Sequence, residues 1–180
     1  MMIKELEYMN TKQSDRYVLA LDPSGNFDEG KGTTGWCLMR DYDATVMRTG
    51  HIAAKDYKTV HEYWHAHIEL LQELKAAYHI RCIVLEDYLL YATKASSQIN
   101  SRFETPQLIG IIKYWCETIH IHYDTQPASL VKNRWANAIL ERKGILQRKG
   151  TRWYCGKHCI NRHEIDAIRH AMHYCKFKIW

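Results

Sequence analysis

Arg16-Tyr17-Val18-Leu19-Ala20-Leu21-Asp22 decides how the rest of this 180-residue sequence is read. The apolar run from Tyr17 to Leu21 reads as a buried strand. It ends in a carboxylate, and Pro23-Ser24-Gly25-Asn26 behind it is dense in turn formers. The same grammar recurs in Ile80-Arg81-Cys82-Ile83-Val84-Leu85-Glu86, a second apolar run that also stops at a carboxylate.

Between these two strands lies a loop with Gly30, Gly32 and Gly35, then Trp36-Cys37-Leu38-Met39 as a strand. Asp41-Tyr42-Asp43 is the turn into another strand, Thr45-Val46-Met47-Arg48-Thr49-Gly50-His51-Ile52, so three strands form an antiparallel meander. Over residues 57–78, Val60, Trp64, Ile68, Leu71, Leu74 and Ala77 recur at steps of three or four, which predicts an amphipathic helix. A right-handed crossover through that helix lays the strand ending in Glu86 beside the strand ending in Asp22. Further on, Pro106 marks a second helix start and 119–123 reads as a fifth strand. One helix is predicted over 127–142, opening with Pro127-Ala128-Ser129, and a last one over 163–174. The expected fold class is α/β, a five-stranded mixed sheet (a meander plus two parallel strands) flanked by helices.

Length and composition favour one domain, residues 16–180, behind an N-terminal extension of residues 1–15. No run approaches the roughly 20 apolar residues of a membrane span, and Lys4, Glu5 and Glu7 interrupt the apolar core a signal peptide needs. A soluble protein of the cytoplasm, without a membrane partner, is expected. The six cysteines read as reduced and structural. The net charge of +5 is modest, but residues 132–162 carry nine Lys and Arg against the single acid Glu141. Such an excess suits a polyanion and equally suits a solvated basic surface.

Asp22 and Glu86 close neighbouring strands, and ligands bind mixed sheets beyond the carboxyl ends of the strands. Asp166 on the last helix, with His163 three residues earlier on the same face, supplies a third acid. Converging carboxylates repel unless cations join them, and hard divalent ions take oxygen ligands. Two such ions would support phosphodiester hydrolysis. Singly, each residue also reads as a turn cap, a strand-end group or a helix-surface charge. Asp87 follows Glu86, and strand alternation lets only one of the two face the site.

The ordered set Leu21-Asp22-Pro23, Gly35-Trp36, Val84-Leu85-Glu86 and His163-Glu164-Ile165-Asp166-Ala167 resembles the RuvC family of Holliday junction resolvases in the RNase H-like superfamily. It looks most like the small RuvC-like proteins of bacteriophages, and the resemblance spans residues 16–176. It implies an RNase H-like nuclease domain with Asp22, Glu86, Asp166 and His163 as catalytic metal ligands for two Mg²⁺ ions, Mn²⁺ being a possible substitute. The implied partner is branched DNA, resolved by a homodimer in the cytoplasm of a bacterial host. Glu86 rather than Asp87 is the carried-over ligand. Pro127 and Lys132 resemble a segment where a lysine contacts DNA near the cleavage site, and Gly110 falls where the family has a helix glycine. The loop from Asp22 to Gly35 is longer than in cellular RuvC.

The phosphate contacts expected are Lys132, Arg134, Arg142, Lys143, Arg148, Lys149 and Arg152, with Lys94 and Arg102 as a second group. Tyr88 and Tyr91 read either as stacking platforms for unpaired bases or as buried strand-end tyrosines. Trp64 and Trp115 read as core or as dimer contacts, and His61, His65 and His67 as a polar helix face. Within the nuclease class, flaps and forks are alternative substrates. A zinc-containing DNA-binding module would instead use Cys155, His158, Cys159 and His163, whose spacing is unlike the common paired zinc patterns.

Overall fold

The computed structural model describes residues 15–88 and 103–177. Lys94, Arg102, Tyr91 and nearly all of the N-terminal extension lie outside the described residues. The elements are β1 (Tyr17–Asp22), β2 (Thr33–Arg40), β3 (Val46–Ala53), α1 (Val60–Ala77), β4 (Ile80–Asp87), α2 (Glu104–Thr118) and β5 (His122–Pro127). They continue with α3 (Ala128–Arg134), α4 (Asn137–Arg142), β6 (Gln147–Lys149), β7 (Arg152–Cys155), β8 (His158–Ile160) and α5 (Arg162–Phe177). The large sheet has the order β3-β2-β1-β4-β5. Its β1–β2 and β2–β3 pairs are antiparallel, and β1–β4 and β4–β5 are parallel. This is the five-stranded mixed sheet that the pattern of apolar runs predicts.

Alternation along the strands divides the core in two. Leu19, Leu21, Ile83 and Leu85 point to one face and pack with Tyr63, Leu71 and Leu74 of α1 and Leu108, Ile112 and Cys116 of α2. Val18, Ala20, Cys82 and Val84 point to the other and pack with Ile165, Ile168, Ala171 and Met172 of α5, joined by Val131 and Leu140. Burial on both faces is why β1 and β4 are apolar throughout instead of alternating. Asp22 and Glu86 continue the α5-facing series, which points both toward the start of α5.

Four features depart from the sequence reading. First, the buried stripe of α1 is Tyr63, His67, Leu71 and Leu74; Val60, Trp64 and Ile68 flank it half-buried, and Ala77 is exposed. His67 is fully buried, a core polar residue instead of part of a polar face. Second, the fifth strand is His122–Pro127 and not 119–123. Helix α2 runs to Thr118, and His120 at φ 54° donates its N–H to the Glu117 carbonyl while Ile121 donates to Cys116. That is a Schellman closure, and it takes up the residues expected to begin the strand.

Third, the predicted helix over 127–142 is two helices broken at Trp135 and Ala136. Arg169 of α5 donates to the freed Trp135 carbonyl at 3.0 Å and to Asn137 Oδ1 at 2.5 Å, which satisfies the break. Fourth, the basic stretch after α4 forms its own antiparallel sheet, β6-β7-β8. Arg148 stacks over Trp153 and Lys149 over Tyr154 there, so the aromatic residues carry the cations on an exposed ribbon.

Candidate active site

The crevice starts from backbone fit. Gly35 pairs with Asp22 across β1 and β2. A Cβ on Gly35 would collide with the main chain of His163 and Glu164, so the missing side chain is what lets the start of α5 lie against the strand. The helix is started by a capping box. Asn161 Oδ1 accepts the Glu164 N–H at 3.0 Å, and Glu164 Oε1 accepts the Asn161 N–H at 3.3 Å. The buried Glu164 carboxylate also meets His51 Nδ1 at 3.0 Å, tying the first turn to β3.

Asp22 from β1, Glu86 from β4 and Asp166 from α5 each offer an oxygen, and these atoms lie within 4.8 Å of one another. They come from positions 22, 86 and 166, so only the fold brings them together. Lys132 of α3 places its ammonium among them, 3.1 Å from Asp166 Oδ2 and 3.3 Å from Glu86 Oε2. His163 donates from Nδ1 to Asp22 Oδ2 at 2.7 Å. Its Nε2 accepts from Arg162 Nε at 3.3 Å, which describes a neutral Nδ1–H ring. The ring is hydrogen-bonded to Asp22 and is not among the three mutually close carboxylates. Arg169 donates to Asp166 Oδ1 at 2.5 Å, and His170 Nε2 meets Glu86 Oε2 at 3.0 Å.

Burial pushes the Asp22 carboxyl above the usual range; the His163 hydrogen bond opposes this and the nearby Glu86 charge adds to it. Glu86 is also raised by burial, but the His170 hydrogen bond and the Lys132 charge outweigh that and hold it low. For Lys132, burial works against the charge and the Glu86 and Asp166 carboxylates more than compensate, so its pKa is raised. The cluster is thus a set of hard oxygen donors, two of which already pair with a cation, and this donor set fits divalent-ion binding.

The loop after Asp22 is anchored from beneath. His67 Nδ1 donates to the Tyr63 carbonyl at 2.7 Å, so its Nε2 accepts the Thr34 hydroxyl at 2.8 Å. Thr34 Oγ1 accepts the Ser24 N–H at 3.1 Å, and Tyr63 donates its hydroxyl to the Ser24 carbonyl at 2.6 Å. From the other side, Glu104 Oε2 accepts the Phe27 N–H at 2.7 Å and Thr105 Oγ1 accepts that of Gly25 at 2.9 Å.

Other residues singled out in the sequence fall elsewhere. Asp87 points away from the α5 face, and Tyr88 packs half-buried against the α1–α2 side of the core. Arg134, Arg142, Lys143, Arg148, Lys149 and Arg152 are exposed. Lys143 lines a cavity of about 700 Å³ with Asp41, Asp43 and Trp135. That cavity lies at the opposite end of β1 from Asp22, since Asp41 follows the Tyr17–Arg40 pair. The carboxylates lie at the other end of the strand. Cys155 and His158 are register partners on β7 and β8, and Cys159, one residue along, alternates to the other side. Cys155 packs its side chain on the core and His163 is engaged with Asp22, so the four possible zinc ligands do not converge.

The sequence reading missed Arg169, His170, Gln126, Glu164 and the Thr34–His67–Tyr63 group. His170 had one legible signal, its place four residues after Asp166 on the same helix face.

No protein-family profile matches the chain, and no curated protein sequence matches it. Solved structures do. A structure of T. thermophilus RuvC in complex with a Holliday junction substrate is similar with a TM-score of 0.66 and 15% sequence identity, over 91% of this chain and 94% of that one. A further Thermus thermophilus RuvC structure is similar with a TM-score of 0.61 and 11% identity, over 90% and 96%. The fold is RuvC-like, of the RNase H-like class.

Proposed function

We propose that this chain is a metal-dependent endonuclease that resolves Holliday junctions, with residues 16–180 as the nuclease domain. The observation that carries the reading is the convergence of Asp22, Glu86 and Asp166 within 4.8 Å at the carboxyl ends of β1 and β4, on a RuvC-like fold. The branched substrate is taken from the junction bound in the similar structure.

Asp22, Glu86 and Asp166 would hold two Mg²⁺ ions, or Mn²⁺ in their place. Such ions supply an activated water and neutralise charge on the leaving oxygen in phosphodiester hydrolysis. His163 orients Asp22 through the 2.7 Å hydrogen bond, and Arg169 orients Asp166. Lys132 now fills the positive position among the carboxylates. Once other cations take that place, its ammonium is next to the crevice and free to pair with a phosphate oxygen. The exposed β6–β7 ribbon, with Arg148, Lys149 and Arg152, would give a further grip on DNA, and a second copy of the chain would supply the second cut.

Incubation of purified protein with labelled four-way, flap, fork and linear duplex DNA, in Mg²⁺ and in EDTA, tests this reading. Paired nicks in four-way junctions in Mg²⁺ and none in EDTA are expected. Cleavage of flaps or forks in preference to junctions would replace the substrate. Cleavage persisting in EDTA would remove the metals.

A further inference from the structure

The His170 ring is completely buried and stands between two side chains, Nε2 3.0 Å from Glu86 Oε2 and Nδ1 3.0 Å from Gln126 Oε1. Glu86 and Gln126 are register partners on β4 and β5, so both leave the sheet on the same face and α5 lowers the ring between them. A carboxylate only accepts hydrogen bonds, so Nε2 must carry the proton. With the Gln126 carbonyl on Nδ1, the ring would face two acceptors, while the buried Gln126 Nε2 has no partner. The two ends of an amide are nearly the same size. Turning it over puts the Gln126 N–H on Nδ1, which gives the orphan donor an acceptor and the ring one donor and one acceptor.

We propose that His170 is a positioning residue for Glu86: a neutral Nε2–H ring, its tautomer fixed by Gln126, that clamps one carboxylate oxygen and sets how Glu86 faces the crevice. This rests on the reading of Glu86 as a cation ligand. The pairing is economical in sequence, since one turn of α5 carries both the ligand Asp166 and the clamp on another ligand. Arg169 beside it clamps Asp166, and Lys132 reaches both carboxylates from α3. Groups behind metal ligands commonly set affinity by fixing ligand orientation, and their loss costs roughly tenfold to a hundredfold.

The test uses the full-length protein. Nitrogen-15 NMR of the imidazoles without metal, with the His170 signals assigned by comparison with His170→Gln, should show Nδ1 unprotonated. Gln126→Glu, which offers only acceptors, should move a proton onto it. A proton on Nδ1 in the wild type overturns the proposal. Mn²⁺ titration should show His170→Ala binding roughly tenfold to a hundredfold more weakly, and His170→Gln, whose amide can still donate to Glu86, recovering most of the affinity. Junction binding in EDTA should be unchanged in both. Wild-type Mn²⁺ affinity in folded His170→Ala overturns the clamp. Should that variant fail to fold, Gln126→Met keeps the shape without the amide, and undiminished Mn²⁺ binding there overturns it equally. A wild-type protein that binds no Mn²⁺ sinks the metal-dependent reading instead, and the tautomer signal still decides whether Gln126 sets the ring.

Discussion

Asp22, Glu86 and Asp166 lie close together and Lys132 pairs with the latter two, so on the proposed reading neutralising one acid would weaken cation binding without touching the exposed basic residues. Asp22→Asn, Glu86→Gln and Asp166→Asn should each reduce cleavage below detection while junction binding in a gel-shift assay stays within a few-fold of wild type. Wild-type turnover in one of them would take that residue out of the chemistry. His67 makes a separate prediction. Burial lowers its pKa to about 4 from the ordinary 6.5, so between those values the unfolded chain binds a proton that the folded protein does not. Stability is then full above pH 6.5 and is lost as pH falls toward 4, by about 3 kcal/mol at 1.36 kcal/mol per unit. Urea unfolding at pH 7 and pH 4 should show this loss, and His67→Gln should flatten it. An equal slope in both proteins would assign the acid sensitivity elsewhere.

At the scale of elements, Gly35 and Gly110 make a matched pair. Gly35→Ala would drive a Cβ into the backbone at His163 and Glu164; overpacking against main chain costs about 3 kcal/mol, and the start of α5 moves away from Asp22. Gly110 lies exposed within α2 with nothing in the way, so Gly110→Ala should stabilise by about 0.5–1 kcal/mol through helix propensity. Denaturant midpoints of the two variants check both signs, and cleavage should fall only in the first. The sheet was legible because β1 and β4 are buried on both faces, and an uninterrupted apolar run says so. β5 was placed three residues early because its polar residues give no such run and His120, not glycine, closes α2. The Trp135 break was hidden because its compensation comes from Arg169, far along the chain. Asp22, Glu86 and Asp166 could be read from strand ends and a helix face and Lys132 near them from the resemblance, whereas the Lys132 ion pairs and Gln126 behind His170 follow only from three-dimensional placement.

For the whole molecule, the sheet separates two helical layers. α5 and α3 lie on the face that bears the carboxylates, while α1 and α2 cover the opposite face. If Arg148, Lys149 and Arg152 grip phosphates, junction affinity should fall linearly in log-log terms with salt, and replacing Arg148 and Arg152 should flatten the slope by about 2. Lys143, at the far end of β1, should contribute little. A slope unchanged by the pair would place the DNA elsewhere. If the chain resolves four-way junctions as proposed, two cuts are needed, and the described residues offer one set of carboxylates, so the proposal calls for a two-fold pair. A dimer built through α1 and α2 leaves both carboxylate faces open to DNA, whereas one built through α5 covers them. Trp64 and Trp115 are half-buried on that outer layer and Tyr114 is exposed there. Sedimentation at micromolar concentration should give about twice the 21.3 kDa chain mass. Tyr114→Glu should shift it toward the monomer and turn paired nicks on a cruciform plasmid into single ones. A wild-type monomer that still linearises the plasmid within one binding event would show that two-fold pairing is not how the second strand is cut.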